Sequence, residues 1–350
     1  MSKYLKRDPL PLLLQSPSPL LRFRASRDLA LCDIPGSENS SASSEHVESL
    51  PVRYMLSASK NGILGDSSHP DIYYRGTLWN FAVCVIFGLT MAHPLIDSTA
   101  QYIISRKQMD CGAFTPDCSP PIPDACMTGN MLHYLLIAGV KGPEIERGIS
   151  WILDHQRPDG GWISTPVSSY WQLTRFLLWK KSGTIAVNER NDSTASCVYA
   201  TAACASAMAS FYMKDSRITE SLSRAADFFL SHNLFCGQPD SGSAAFPRSG
   251  RNKNFSLIGF PVFCQYDIIT GLEIVTAAEK LHEPGAGEAF NSLVQQQTDF
   301  GTIQPHNYGT GMLFQDRCFR KFREDPELWT TLRFLILLKN ANHYTHERNR

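Results

Sequence analysis

Apolar side chains recur along this chain in two patterns, and their alternation predicts a layered structure. From Pro143 to His155 the apolar positions Ile145, Ile149, Ile152 and Leu153 share one face of a helix, with proline at the expected first helical position. One-sided segments of the same kind are expected from Ile96 to Lys107, Ile218 to Phe235, Glu288 to Gln297 and, more weakly, Val52 to Lys60. Between them lie segments with few charges: Leu78 to Thr90, Cys126 to Val140, Ser196 to Met213, Val262 to Ala278 and Trp329 to Leu338. A helix apolar all round is buried, and one apolar on a single face covers it. The pattern therefore predicts an inner layer of helices wrapped by an outer one.

Most one-sided segments end in a turn signal. The fullest is Gln156-Arg157-Pro158-Asp159-Gly160-Gly161-Trp162, where Pro158 stops the helix and the glycines take positive φ without a Cβ clash. Trp162 is then returned toward the body as an aromatic peg. Weaker versions follow at Gln108 to Phe114, Thr298 to Ile303, Asn61 to Leu64 and Cys236-Gly237. Ser37 to Glu45 reads as a serine-rich mobile loop, and Asp66 to Tyr74 as another loop. Thr115 to Asp124, with four prolines in ten residues, reads as an arch over one end of the molecule. Residues 165–195 form an insertion with an extra helix from Tyr170 to Trp179, and a polar tail starts at His343.

Helix pairs punctuated by Gln-x-x-Asp-Gly-Gly-Trp resemble the prenyltransferase and squalene-cyclase repeat proteins. The resemblance implies an all-α fold, an α/α toroid of about six inner and five to six outer helices around a cavity, in one domain over 1–350. More narrowly, the chain from about Leu12 to Lys339 is similar to a group of bacterial proteins with that repeat. The similarity lies in Asp124 to Asn130, Gly160-Gly161-Trp162, Phe228 to Leu234, Phe260-Pro261 through Tyr266-Asp267-Ile268, and Trp329 to Arg333.

Composition narrows the partners. With 33 basic and 33 acidic residues there is no net field to draw nucleic acid or an anionic membrane. No apolar run is long enough to span a bilayer, so no transmembrane segment is expected. Ten cysteines stand at no disulfide-like or C-x-x-C spacing, which suits a reducing compartment and a cytoplasmic protein.

Candidate chemistry collects where cysteines meet the starts of inner helices. Cys126, Cys197 and Cys264 fall near such starts, which in a toroid converge on one mouth of the cavity. Free N–H groups and the helix dipole stabilise a thiolate there, so Cys126 and Cys197 are candidate reactive or metal-binding groups. Asp267, on an otherwise apolar segment, is the candidate acid; its alternative reading is a carboxylate tied to backbone or a basic group for structure alone. Tyr134, Tyr199, Tyr266 and Trp162 are candidate substrate contacts. The resemblance implies zinc as the metal, because protein prenyltransferases hold it with Asp, Cys and His; here Cys126 and Cys197 with His232 would be the ligands. Ser164 stands where the bacterial group has a second cysteine.

No Asp-x-Asp-Asp or Asp-Asp-x-x-Asp motif occurs, nor any phosphate-loop, dinucleotide or serine-hydrolase motif. The expectation is a terpene-cyclase- or prenyltransferase-like enzyme acting on a largely apolar small molecule by cyclisation, isomerisation or group transfer. The alternative is a non-catalytic binding or scaffold protein, or a subunit that needs a partner.

Overall fold

Prolines and polar caps set where the helices of this chain begin. The computed structural model describes residues 4–29, 59–64, 76–115, 121–164, 196–213, 215–235, 255–262, 265–306 and 324–348. Its helices are α1 (Leu10–Leu14), α2 (Pro19–Asp28), α3 (Thr77–Ile86), α4 (Pro94–Lys107), α5 (Ala125–Ala138) and α6 (Pro143–Asp154). They continue with α7 (Val198–Ser210), α8 (Ser216–Ser231), α9 (Ile268–Ala277), α10 (Pro284–Gln295) and α11 (Pro326–Arg348). Proline occupies the first or second position of α2, α4, α6 and α10, where its missing N–H costs nothing. Side-chain caps from Ser18, Asp124, Asp215 and Asp267 satisfy backbone N–H groups at the starts of α2, α5, α8 and α9.

Strand is confined, among the described residues, to a hairpin of β1 (Ser59–Lys60) and β2 (Ile63–Leu64). The described end of the Val52 to Lys60 segment is therefore extended, not helical. α9 starts at Ile268, later than the Val262 expected, and α11 runs past Leu338 to Arg348. The 37–45 and Asp66 to Tyr74 loops, the insertion at 165–195 and Cys118 and Cys264 lie outside the described residues.

Packing follows the alternation of helix types. The apolar helices α3, α5, α7 and α9 bury nearly every side chain, whereas α6 and α8 bury one stripe. α5 packs on α3 and α7, α9 on α7 and α11, and α11 on α2. Over them α4 covers α3, α6 covers α5, α8 covers α7 and α9, and α10 covers α9. α5 and α7 approach most closely at Gly129, where a Cβ would overlap the backbone of Ala203 and Cys204. Among the described residues no helix is long and apolar enough to cross a membrane.

Four turns share one geometry. Gly62, Gly112, Gly160 and Gly301 have φ of 79°, 97°, 87° and 77°, a region that only glycine enters freely. A Cβ at these positions would press into the main-chain oxygens of Ser98, Arg147, Arg224 and Arg7 respectively. Two residues later Leu64, Phe114, Trp162 and Ile303 are buried, and their N–H groups donate to the hydroxyls of Thr77 (3.2 Å), Thr128 (2.8 Å), Thr201 (3.1 Å) and Thr331 (2.9 Å). Glutamine staples two of the turns outward: Gln108 Nε2 donates to the Gly112 and Glu144 carbonyls at 3.0 and 2.7 Å, and Gln156 Nε2 to those of Gly160 and Ser221 at 2.9 and 2.8 Å. The last turn rests on the N-terminal segment, where Lys6 Nζ donates to the Gln297 carbonyl at 2.7 Å.

Close approach and backbone conformation can be separated by substitution. Gly139 also has positive φ (95°), but nothing lies within 4 Å of its missing Cβ. Gly139→Ala should cost about 1 kcal/mol, the penalty of left-handed backbone alone. Gly160→Ala should cost roughly 2–4 kcal/mol, because the Arg224 carbonyl must also move. Urea unfolding of the two variants measures the difference, and equal costs would contradict the tight seat of the turn.

Candidate functional site: a cavity shared by five helices

Among the described residues α3, α5, α7, α9 and α11, with Arg24 of α2, enclose a cavity of about 470 Å³. Its walls run from Asn130 to Ile137 in α5, Ala202 to Ser210 in α7, Thr270 to Ala277 in α9 and Trp329 to Asn340 in α11. Phe260 and Trp329, both lining it, stack at 6.0 Å with planes 11° apart near the start of α11. At the other end the lining residue Ile137 is 41% exposed, so the cavity reaches the surface there.

Of the residues singled out from the sequence, Tyr134 lines this cavity. Cys126, Cys197, Asp267, Tyr199, Tyr266, Trp162 and His232 are not part of its wall. Trp162 is the peg beneath α6: it is buried, and its Nε1 donates to the Ile152 carbonyl at 2.8 Å. Tyr266 stacks on Phe229 at 5.0 Å and donates its hydroxyl to the Leu234 carbonyl at 3.3 Å. Tyr199 meets Phe255 edge-on at 5.9 Å.

The two cysteines sit at helix starts, as their sequence positions require. Cys126 is in the first turn of α5 with Asn130 Nδ2 at 3.5 Å from its sulfur, and Cys197 is the N-cap of α7. The expected thiolate stabilisation does not prevail at Cys197. Burial pushes its pKa up; the N–H groups of Ala200 and Tyr199 pull down, and neighbouring Cys126 and Asp124 push up again. Desolvation outweighs the helix terminus.

The zinc expectation can be set against the same geometry. Among the described residues no three His, Cys, Asp or Glu side chains are grouped so as to hold a metal ion. His232 caps the end of α8, with Nδ1 2.7 Å from the Phe228 carbonyl and its ring against Phe228. Ser164 donates to the Asp124 carboxylate at 3.0 Å. Cys126, Cys197 and His232 are thus not brought together as a ligand set, and no chemistry through zinc is derived.

Asp267 is the N-cap of α9 and is 2% exposed. Its Oδ1 accepts from the Thr270 N–H and hydroxyl, both at 2.9 Å, and its Oδ2 from the Gly259 N–H at 3.2 Å and Arg333 Nη1 at 2.8 Å. All four partners are donors, which suits a carboxylate rather than a carboxylic acid. The arrangement is the structural alternative raised from the sequence.

Through Arg333 that network reaches the cavity. Arg333 also donates from Nε and Nη2 to the two oxygens of Glu273 at 3.2 and 3.0 Å, and from Nη2 to the Thr270 hydroxyl at 2.7 Å. Burial opposes the charge on Arg333, yet the two carboxylates outweigh it and hold its pKa above the ordinary arginine value. Glu273 goes the other way: burial raises its pKa, the arginine offsets only part, and Asp267 adds to the rise. Protein surrounds Glu273, but 36% of its side chain is open, and it lines the cavity.

Facing the same cavity, His133 has Nδ1 at 3.2 Å from the Ser206 carbonyl and 2.9 Å from the Ser210 hydroxyl. A carbonyl only accepts, so Nδ1 carries the proton and Nε2 keeps its lone pair. Burial pushes its pKa down to about 4; the Ser206 bond opposes this, and the charge of Arg333 adds to it. Sequence reasoning passed over His133, Glu273 and Arg333. The signal was an isolated polar residue on an apolar helix, the same signal that singled out Asp267.

No protein-family model and no curated protein matches the chain.

Two substitutions check these electrostatics. The folded pKa of His133 lies below its unfolded value of 6.5, so its contribution to stability is full above pH 6.5 and is lost as pH falls toward 4. The total is on the order of 3 kcal/mol. His133→Asn should therefore flatten the loss of Tm between pH 6.5 and 4 relative to the unmodified chain, as read by calorimetry. Arg333→Met leaves Asp267 and Glu273 without their counter-charge and should cost roughly 3–5 kcal/mol in urea unfolding at pH 7.

Proposed function

We propose that the chain is a single α/α toroid, with α3, α5, α7, α9 and α11 inside and α4, α6, α8 and α10 outside, and that it is an enzyme acting on a largely apolar small molecule in the enclosed cavity. Support for the ring comes from the alternation of apolar and one-sided helices and from the Gly301 turn, which meets Arg7 near the opposite end of the chain. The repeat resemblance supports an isoprenoid as the apolar molecule.

One observation carries the chemistry. Glu273 and His133 line one cavity, and their surroundings move them in opposite directions, a carboxyl that keeps its proton more readily and an imidazole that resists one. Such a divided pair suits acid–base work. In the minor form of the site where Glu273 carries a proton on the second lone pair of an arginine-bound oxygen, it donates that proton to a carbon–carbon double bond, and the π electrons form the new C–H bond. The resulting cation rearranges or closes a ring beside Tyr134, Phe260 and Trp329, whose π faces favour positive charge. His133 Nε2 then takes a proton from a neighbouring carbon, the C–H electrons form the new double bond, and water returns the proton to Glu273. The overall reaction is an isomerisation or cyclisation without loss of atoms.

The rival is a binding protein without chemistry. It draws on the Asp267–Thr270–Arg333–Glu273 network, which joins α9 to α11 and serves stability whether or not anything reacts. Incubation with farnesol, limonene or squalene in D2O separates the two, because reversible protonation at carbon exchanges hydrogen even without net turnover. Mass spectrometry should show deuterium entering at least one of the three, with a loss of about 10²-fold or more in Glu273→Gln and in His133→Asn. Ligand retention with no deuterium uptake would favour the binding protein.

A further inference from the structure

The cavity that the proposed function rests on also has a definite preference for ligand charge. Among the described residues two cations line it, and both are already engaged. Arg24 donates from Nε to Asp28 at 2.5 Å and from Nη1 to the carbonyl of Ile86, at the end of α3. Arg333 is held by Asp267, Glu273 and Thr270. Each cation is thus answered by a carboxylate, Arg24 by Asp28, which Arg27 also pairs, and Arg333 by Asp267 and Glu273. Among the described residues an anion entering would find no uncommitted cation to pair with.

An ammonium group meets a different obstacle. Burial and the charge of Arg333 already disfavour a proton on His133, and the same two causes disfavour a cation placed beside its ring. What the ring does lack is a hydrogen-bond donor: Nε2 has none among the described residues, while Nδ1 is committed to Ser206 and Ser210. An uncharged hydroxyl supplies that donor and adds no charge.

From this geometry we infer that the ligand binds as a neutral, largely apolar alcohol whose hydroxyl donates to His133 Nε2 until that nitrogen takes the carbon proton, and that carboxylates and phosphate esters are refused. The inference deepens the proposed function and depends on the cavity being a ligand site.

Equilibrium dialysis at pH 7 with four matched probes tests it: naphthalene, 2-naphthol, 2-naphthoate and 2-(aminomethyl)naphthalene. The expected result is 2-naphthol tightest, about three- to ten-fold tighter than naphthalene, the worth of one hydrogen bond. The carboxylate and the ammonium should bind at least about ten-fold more weakly than 2-naphthol, the cost of bringing an unpaired charge into the cavity. In His133→Leu the margin of 2-naphthol over naphthalene should vanish while naphthalene still binds. The ranking on the unmodified chain keeps the test independent of whether that variant folds. Naphthoate or the amine binding as tightly as 2-naphthol, or an unchanged margin in His133→Leu, would overturn the inference and leave the cavity as a ligand site. Failure of all four probes to bind would overturn both.

Discussion

A hydrogen bond from a buried turn N–H to a threonine hydroxyl sets the spacing of this structure. Each turn delivers an apolar residue into the core, and its N–H must find an acceptor where water does not reach. Thr128, Thr201 and Thr331 supply it, and each donates its own proton to the carbonyl four residues earlier, at Asp124 (2.6 Å), Cys197 (2.8 Å) and Glu327 (2.7 Å). One hydroxyl thereby fixes the height of the turn against the next cavity-lining helix and leaves no polar atom unsatisfied. The glycine two residues before the peg sets the other coordinate by bringing the turn against the following outer segment. A peg and a seat together define each repeat.

The unit ahead of α9 departs from this plan. Four residues after the cap Asp267 stands Gly271 in place of threonine, and the Tyr266 hydroxyl lies against it. Freed from a turn-binding role at that position, the start of α9 uses Asp267 and Thr270 to bind Arg333 of α11. A buried arginine between two carboxylates is stable only because its donors are paired, and removal of either sign would leave a charge in low dielectric. The same arginine acts across the cavity on His133. The unit that breaks the pattern also sets Glu273 and Arg333 in the cavity wall.

The helices were legible from periodicity because α6 and α8 are apolar on one face and α3, α5, α7 and α9 carry almost no charge; α6 and its turn follow the sequence closely. Trp162 could be read as a peg, because Pro158, Gly160 and Gly161 leave the chain few other courses. Asp267 was harder. Apolar residues run through Val262 and Tyr266 into Ile268, so nothing local marks the carboxylate as a cap rather than a helix-interior acid. Cys126 and Cys197 do lie at helix starts, but a helix wheel does not tell which half of a helix borders a hollow. Here the hollow begins with Asn130 in α5 and Ala202 in α7, past both cysteines. The partnership of Glu273 with Arg333 spans sixty positions and is set by packing alone.

The hollow itself argues for a ligand. α7 presents Ala202, Ala203, Ser206, Ala209 and Ser210 to it, side chains too small to fill the space between the helices. Protein interiors are otherwise close-packed, but this hollow opens to solvent beside Ile137, so something from solution fills it. Water can do so, since His133, Ser206, Ser210, Glu273 and Arg333 give it polar partners. The apolar part of the wall, with Ile274, Leu332, Ile336 and Trp329, gives water nothing to bind, so an apolar molecule that displaces it gains on that side and keeps, through one hydroxyl, what the water held on the other.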